Sequence, residues 1–178
     1  MTFAVWLTGL PASGKSAIAA ALLEQLHARG IDAALLESDA LRRQITPYPR
    51  YDAPERELFY AALAELGGFL VQHGASVLFD ATANRRKFRD GARRRIARFA
   101  EIHVDTPLEV CAARDPKGLY RAARDGKAST LPGAQAAYEP PLAPDLVVRG
   151  DRGTPQEAAA AIVELLARRG WLARLTAS

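Results

Sequence analysis

Cysteine, long apolar runs and a leader-like N-terminus are missing or nearly missing from this chain of 178 residues. Cys111 is its single cysteine, which excludes a disulfide within the chain, and we expect it to pack as a small apolar residue on a helix. No apolar run approaches the length of a membrane span, and no charged-then-apolar signal sequence opens the chain. We therefore expect a cytoplasmic protein without a membrane partner.

Lysine and aromatic residues are also scarce, whereas arginine is abundant. The chain has 20 arginines and 4 lysines, a formal net charge of +4 and 7% aromatic residues. A basic balance can indicate nucleic-acid binding, so a nucleotide-regulated nucleic-acid-binding protein with a basic face at 85–98 is one interpretation. The arginine clusters hold few aromatic side chains on which bases would stack, which makes nucleic acid the less favoured partner. Small anionic substrates account for several of these arginines equally well.

The segment from Gly9 to Ser16 matches the phosphate-loop pattern G-x-x-x-x-G-K-[ST] at every fixed position. Its glycines let backbone N–H groups surround a polyphosphate, and the N-terminus of the following helix adds partial positive charge. Lys15 is expected to reach the β- and γ-phosphates, and the Ser16 hydroxyl is expected to ligate Mg²⁺. The predicted nucleoside triphosphate site consists of Gly9, Pro11, Ala12, Ser13, Gly14, Lys15, Ser16 and Ala17.

Apolar stretches alternate with helical periodicity, which favours an α/β fold with a parallel sheet and helices on both faces. Strands are predicted at 3–7, 33–36, 77–79, 102–104 and 145–148, about five in all. Helices are predicted at 15–29, 54–73, 86–99 and 107–114, and from Thr154-Pro155 onward. Neither an internal repeat nor an interdomain linker interrupts the pattern. We expect a single P-loop NTPase or kinase domain over 1–178.

The segment 115–144 is long, weakly periodic and rich in glycine, proline and charge. Loops of this length in a compact domain are often functional, and in a phosphate-loop protein the natural role is a lid that excludes water. We place the lid at about 114–133. The sequence has no Asn-Lys-x-Asp string of the kind that reads guanine, which argues against a GTPase. A kinase of nucleotides or other small molecules is the favoured interpretation.

Three strings then carry a more specific signal: Asp105 to Cys111, Arg114 to Tyr120 (Arg-Asp-Pro-Lys-Gly-Leu-Tyr) and Tyr138-Glu139-Pro140-Pro141. Together they resemble the adenylylsulfate kinases, in register from the first strand to about Val148. The resemblance implies transfer of the γ-phosphoryl group of ATP, with Mg²⁺, to the 3′-hydroxyl of adenosine 5′-phosphosulfate. The product would be 3′-phosphoadenosine 5′-phosphosulfate, the activated form of sulfate. The resemblance leaves the oligomeric state open, with a homodimer as one option.

The resemblance also implies roles for matching residues on the acceptor side. Asp39, at the end of the second strand, takes the place of a carboxylate that orients the acceptor hydroxyl and helps organise Mg²⁺. Arg42 and Arg56 fall where the family's arginines hold the phosphosulfate, and Tyr51 replaces a phenylalanine that stacks on the acceptor adenine. From the residues alone, solvated helix charges are the favoured interpretation of both arginines, and Asp39 is also compatible with a helix cap.

In the lid, Arg114 and Lys117 match residues that hold the donor nucleotide or neutralise the transferring phosphoryl group. Thr82 and Leu131 also match acceptor positions, although Leu131 replaces an aromatic residue and removes one ring of a stacking pair. Phe59 stands where the family usually has an asparagine that helps hold the acceptor.

Asp80, after the third strand, is a candidate catalytic carboxylate that organises Mg²⁺, or else a cap for the next turn. Glu37, by contrast, is one methylene longer than the family's usual aspartate. These departures keep a second interpretation open, in which the same scaffold phosphorylates a different small-molecule or nucleotide-linked hydroxyl.

Overall fold

The computed structural model describes residues 1–46, 48–127 and 130–172. These residues form one sheet of five parallel strands in the order β2-β3-β1-β4-β5. The strands are β1 (Ala4–Thr8), β2 (Ala33–Glu37), β3 (Ser76–Asp80), β4 (Phe99–Asp105) and β5 (Leu146–Arg149). The parallel five-stranded sheet is therefore confirmed. Residues 128–129 of the predicted lid and 173–178 of the predicted domain lie outside the described residues.

The helices cover both faces of the sheet, as the alternating pattern predicts. They are α1 (Lys15–His27), α2 (Ser38–Ile45), α3 (Ala53–Gln72), α4 (Arg86–Arg95), α5 (Leu108–Arg114), α6 (Leu119–Arg124) and α7 (Pro155–Arg168). Helices α1 and α7 enclose one apolar cluster, and α3 and α4 enclose another on the opposite face. Within the described part of the chain, no helix is both long and apolar enough to cross a membrane.

Trp6 in β1 ties the core to the site. Its ring stacks on Phe79 of β3 with centroids 4.4 Å apart. Its indole Nε1 donates a hydrogen bond to Ala81 O over 3.0 Å, just beyond the end of β3. Burying an aromatic side chain of this kind contributes roughly 1.5–3 kcal/mol. The packing therefore fixes the carboxyl end of β3, where Asp80 lies, relative to β1 and the phosphate loop.

Three local predictions need correction. The helix predicted over 86–99 ends at Arg95, because Ile96 takes an extended conformation (φ −119°, ψ 108°) and Phe99 begins β4 beside β1. Helices α2 and α6 are short and were not predicted. Asp39 lies in the first turn of α2, whereas the sequence placed it at the end of a strand. Cys111 is fully buried on α5, as expected.

Candidate active site

The phosphate loop turns tightly between β1 and α1. A side chain at Gly9 would meet Val104 O at 2.5 Å, and Gly14 has a left-handed φ of 104°, so both positions require glycine. The Thr106 hydroxyl, just after β4, donates to Ser13 O over 2.8 Å and holds the loop from outside. The loop conformation is thus fixed by neighbouring strands as well as by its own sequence.

Lys15 is buried at the start of α1. Its Nζ donates hydrogen bonds to Gly9 O (3.0 Å), Leu10 O (2.8 Å) and Ser13 Oγ (3.4 Å). Burial lowers the pKa of this ammonium group, and the nearby carboxylate of Asp80 opposes that shift. The amine therefore lies inside the curve of the loop, where three loop oxygens accept its hydrogen bonds.

Ser16 and Asp80 are in direct contact. The Ser16 hydroxyl donates to Asp80 Oδ2 over 2.6 Å, which joins the first turn of α1 to the end of β3. Asp80 is only 5% exposed. Of the two interpretations of Asp80, this contact favours a carboxylate that organises the metal over a cap for the next turn. A hydroxyl and a carboxylate are oxygen ligands of the kind that Mg²⁺ prefers.

A cavity of about 320 Å³ opens above the loop. Except for Gly9, which does not line it, the cavity brings together every residue predicted for the donor nucleotide: Pro11, Ala12, Ser13, Gly14, Lys15, Ser16, Ala17 and Arg114. We name it the donor cavity. A neighbouring space of about 240 Å³ extends the donor cavity past Gly14, between Arg114, Arg149 and Arg152. Sequence reasoning missed Arg149 and Arg152.

A second cavity of about 380 Å³, the acceptor cavity, lies next to the first. All seven residues predicted for the acceptor line it: Asp39, Arg42, Tyr51, Arg56, Thr82, Lys117 and Leu131. Asp39, Thr82 and Lys117 line both cavities. The two spaces therefore meet at one place, as transfer of a group between two bound molecules requires.

Asp39 and Lys117 form an ion pair at that junction. Lys117 Nζ lies 2.6 Å from Asp39 Oδ2. This hydrogen bond is the main reason why the pKa of Lys117 is raised. Asp39 thus contacts the lid, and the N-cap residue of α2 is Glu37.

Arg42 is 4% exposed, so it is not a solvated helix charge. Its Nη1 donates to Glu55 Oε1 over 2.5 Å, and its guanidinium carbon lies 3.9 Å from the centre of the Phe59 ring and 5.0 Å from that of Tyr51. The aromatic side chain at position 59, which the sequence marks as a departure, thus serves as a stacking surface for Arg42. An anion in the cavity would share Arg42 with Glu55.

Arg56 joins two walls of the acceptor cavity to Asn84 beside it. Its Nε donates to Tyr51 O (2.9 Å), its Nη2 to Thr130 O (2.7 Å) and its Nη1 to Asn84 Oδ1 (3.4 Å). Burial lowers the pKa of the guanidinium. Tyr51 has φ 58°, a left-handed conformation that costs energy for a side chain of this size and is typical of functional sites.

The lid packs on the phosphate loop through a small apolar cluster. Leu131 is 8% exposed and packs with Cys111, Tyr120 and Ala123 against Leu10. The Tyr120 hydroxyl donates to Pro11 O over 2.9 Å. Leu131 therefore faces the lid interior as well as the acceptor cavity.

Sequence reasoning missed several side chains of the acceptor cavity, among them Arg43 and Tyr60. Tyr60 follows Arg56 by one helical turn, so helical spacing places both on the same face of α3. That spacing was a usable signal. Arg43 carried none, because it is exposed on a helix that the sequence did not predict.

The basic stretch 85–98 is largely engaged within the chain. Lys87 pairs with Glu57, Arg95 with Glu65 and Arg93 with Asp145. Arg86 donates to Pro140 O, and Arg89 is 1% exposed. Arg85, Arg94 and Arg98 are exposed, but the pairing of the other side chains neutralises part of the stretch and weakens the nucleic-acid interpretation.

Comparison with known proteins places these features in a family. The family model for adenylylsulphate kinase matches residues 1–149. The adenylyl-sulfate kinase of Microcystis aeruginosa is 35% identical over 168 residues, covering 94% of this chain and 93% of its own, and that of Burkholderia ambifaria is 39% identical over 166 residues, covering 92% of each. The APS kinase CysC of Mycobacterium tuberculosis, solved in complex with AMPPNP and APS, superposes with a TM-score of 0.87 at 34% identity, covering 93% of this chain and 98% of that one.

Proposed function

The chain belongs to the adenylylsulphate kinase family, and on that basis we propose that it transfers the γ-phosphoryl group of ATP to the 3′-hydroxyl of adenosine 5′-phosphosulfate. The observation that carries the proposal is the meeting of the donor and acceptor cavities at the Asp39–Lys117 pair. A phosphate loop alone fits any nucleotide-binding protein. A second cavity that meets the donor cavity at a carboxylate fits a kinase, which must bind a phosphoryl acceptor there.

On the donor side, the loop N–H groups and Lys15 hold the β- and γ-phosphates, while Arg114 contacts the nucleotide from the lid. Ser16, Asp80 and Asp39 supply the oxygen ligands for Mg²⁺, which when bound neutralises charge on the phosphate oxygens. Within 1–46, 48–127 and 130–172, no group of three or more carboxylate, imidazole or thiol side chains is arranged to hold a metal. This agrees with Mg²⁺, which binds through one or two carboxylates together with substrate phosphates.

On the acceptor side, Asp39 orients the 3′-hydroxyl toward the donor cavity and accepts its hydrogen bond. Arg42 and Arg56 hold the phosphosulfate, and Tyr51 stacks on the adenine, with Thr82 and Leu131 completing the walls. Four cationic side chains line this cavity against one carboxylate: Arg42, Arg43, Arg56 and Lys117 against Asp39. The excess of positive charge suits a doubly anionic acceptor.

We assign the segment 114–133 as the lid of a single kinase domain. Lys117 meets Asp39, and Tyr120 meets Pro11, so the segment already contacts the walls of both cavities. In the presence of both substrates, the same contacts would exclude water from the phosphoryl group and suppress ATP hydrolysis.

The test is to supply the protein with ATP, Mg²⁺ and adenosine 5′-phosphosulfate and to measure formation of 3′-phosphoadenosine 5′-phosphosulfate. Reactions without acceptor, and with a panel of other hydroxylated small molecules, run in parallel. The proposal is supported if adenosine 5′-phosphosulfate is phosphorylated and the other acceptors are not. Preference for another acceptor overturns adenosine 5′-phosphosulfate as the substrate, while the assignment as a kinase stands. Absence of turnover, combined with salt-sensitive binding of DNA or RNA, favours the nucleic-acid-binding alternative.

A further inference from the structure

Tyr60 places a phenol in the wall of the acceptor cavity. The residue lies on α3 and is 5% exposed. Its ring stacks on Phe88 of α4, with centroids 4.7 Å apart, and meets Phe59 edge-on at 5.3 Å. Because rings on two helices hold it, the phenol has little freedom to turn away from the cavity.

The Tyr60 hydroxyl has a proton to donate. The oxygen accepts a hydrogen bond from the backbone N–H of Ala83 at 3.2 Å, directly after the cavity residue Thr82. Among the described residues this is the one hydrogen bond of the Tyr60 side chain, so its own proton has no acceptor there. Burial raises the pKa of Tyr60, and the group stays protonated at neutral pH.

The charges around this phenol are those that an anion requires. The guanidinium carbon of Arg42, on α2, lies 5.9 Å from the centre of the Tyr60 ring. Arg56, one turn earlier on α3, acts to lower the pKa of the same phenol, and the Asp39 carboxylate acts to raise it. A neutral donor beside these two guanidinium groups adds a hydrogen bond to the positive charge that the arginines supply.

We propose that Tyr60 binds the acceptor, donating a hydrogen bond from its phenol to the anionic phosphosulfate group held between Arg42 and Arg56. The proposal rests on the function proposed above. It assigns Tyr60 as a specificity-determining residue for an anionic acceptor and gives it no part in the donor site.

The first experiment compares Tyr60→Phe with wild type in steady-state kinetics. Phenylalanine keeps the ring contacts with Phe59 and Phe88 and removes the hydroxyl. Losing a hydrogen bond to a charged group should raise the KM for adenosine 5′-phosphosulfate about tenfold or more, with the KM for ATP within about twofold of wild type. Tyr138→Phe is the matched control, because its half-buried hydroxyl contacts Thr8 and neither residue lines the acceptor cavity, so it should leave the acceptor KM unchanged.

A second experiment separates donation to the acceptor from support of Ala83. A fluorinated tyrosine at position 60 ionises at lower pH than tyrosine, and its phenolate still accepts the Ala83 N–H but cannot donate. The acceptor KM of this variant should rise with pH through the range in which the fluorophenol ionises, whereas the wild-type KM stays flat there. A flat profile in both proteins means that the hydroxyl serves only the backbone.

Failure of this proposal and failure of the proposed function give different results. Wild-type turnover of adenosine 5′-phosphosulfate with an unchanged KM in Tyr60→Phe overturns the role of Tyr60 alone. A wild-type protein that does not phosphorylate this acceptor overturns the proposed function, and the assignment of Tyr60 to its phosphosulfate with it.

Discussion

Lys117 Nζ and Asp39 Oδ2 lie 2.6 Å apart and join the lid to the first turn of α2. The two side chains are 55% and 50% exposed, so their attraction is screened by solvent and adds about 0–1 kcal/mol to stability. The position of the pair matters more than its energy, because both residues line both cavities. The pair lies where the hydroxyl and the phosphoryl group would meet.

The first prediction is a kinetic double-mutant cycle on this pair. Asp39→Asn and Lys117→Met should each lower kcat by about 100-fold or more, because each removes charge aimed at the transferring group. The double variant should be little worse than the more damaging single variant, since the two act as a unit. Strictly additive losses would show that they act independently. Lys87→Met, which breaks an exposed pair whose residues line neither cavity, is the control and should retain wild-type kcat.

The second prediction separates the two candidate carboxylates. Asp80 contacts Ser16, whereas Asp39 contacts Lys117, so Asp80 is expected to have the larger share in metal binding. Asp80→Asn should raise the Mg²⁺ concentration for half-maximal rate about ten- to 100-fold. Compared with Asp80→Asn, Asp39→Asn should change this Mg²⁺ concentration less and should lower kcat more. An opposite ranking would place the metal nearer to α2. Asp90→Asn, at an exposed position on α4, is the control.

The sheet and the phosphate loop could be predicted because their signals are local. Strands β1 and β3 are fully buried apolar runs, and the loop motif fixes the start of α1 at Lys15. The short helix α2 could not be predicted, because it is polar and its Arg42 is held by Glu55, which lies on the next helix. The end of α4 was misplaced for a similar reason, since Ile96 leaves the helix to reach the core.

The candidate site divides in the same way. Lys15, Ser16 and Asp39 could be identified from motifs, and the structure brings them into one cavity. The burial of Arg42 against Phe59, and the placement of the Tyr60 hydroxyl in the acceptor cavity, depend on how α2, α3 and α4 pack together. The spacing of Arg56 and Tyr60 places both on one face of α3, but it does not report how that face packs against α2 and α4.

The third prediction concerns the stability of the acceptor side. Arg89 is 1% exposed, its Nε lies 2.5 Å from Glu101 Oε1, and it donates to the carbonyls of Ala83 and Glu139. Arg89→Met leaves Glu101 buried without this partner and should lower the free energy of unfolding by about 3–5 kcal/mol, measured by denaturant titration. Arg94→Met, at an exposed position on the same helix, should stay within about 0.5 kcal/mol of wild type. A loss below about 1 kcal/mol for Arg89→Met would contradict the assignment.

The fourth prediction is a loss of stability in acid that depends on Asp145. Burial alone would raise the pKa of this carboxyl, but the Glu101 backbone N–H and the Arg169 and Arg93 guanidinium groups outweigh burial and lower it below the ordinary value of 3.8. Because the folded-state pKa is lowered, the ionised carboxylate stabilises the fold above about pH 4. This contribution disappears as the pH falls through the folded-state value.

The free energy of unfolding of wild type should therefore exceed that of Asp145→Asn by a constant amount between about pH 5 and pH 7, and the difference should shrink below about pH 4. Urea titrations across this range measure it. Arg169 lies 2.6 Å from Asp145 and is one cause of the lowered pKa, so in an Arg169→Met background the loss should be smaller and should be complete at a higher pH. A difference that is equal at every pH would mean that Asp145 acts through its shape and hydrogen bonds and not through its charge.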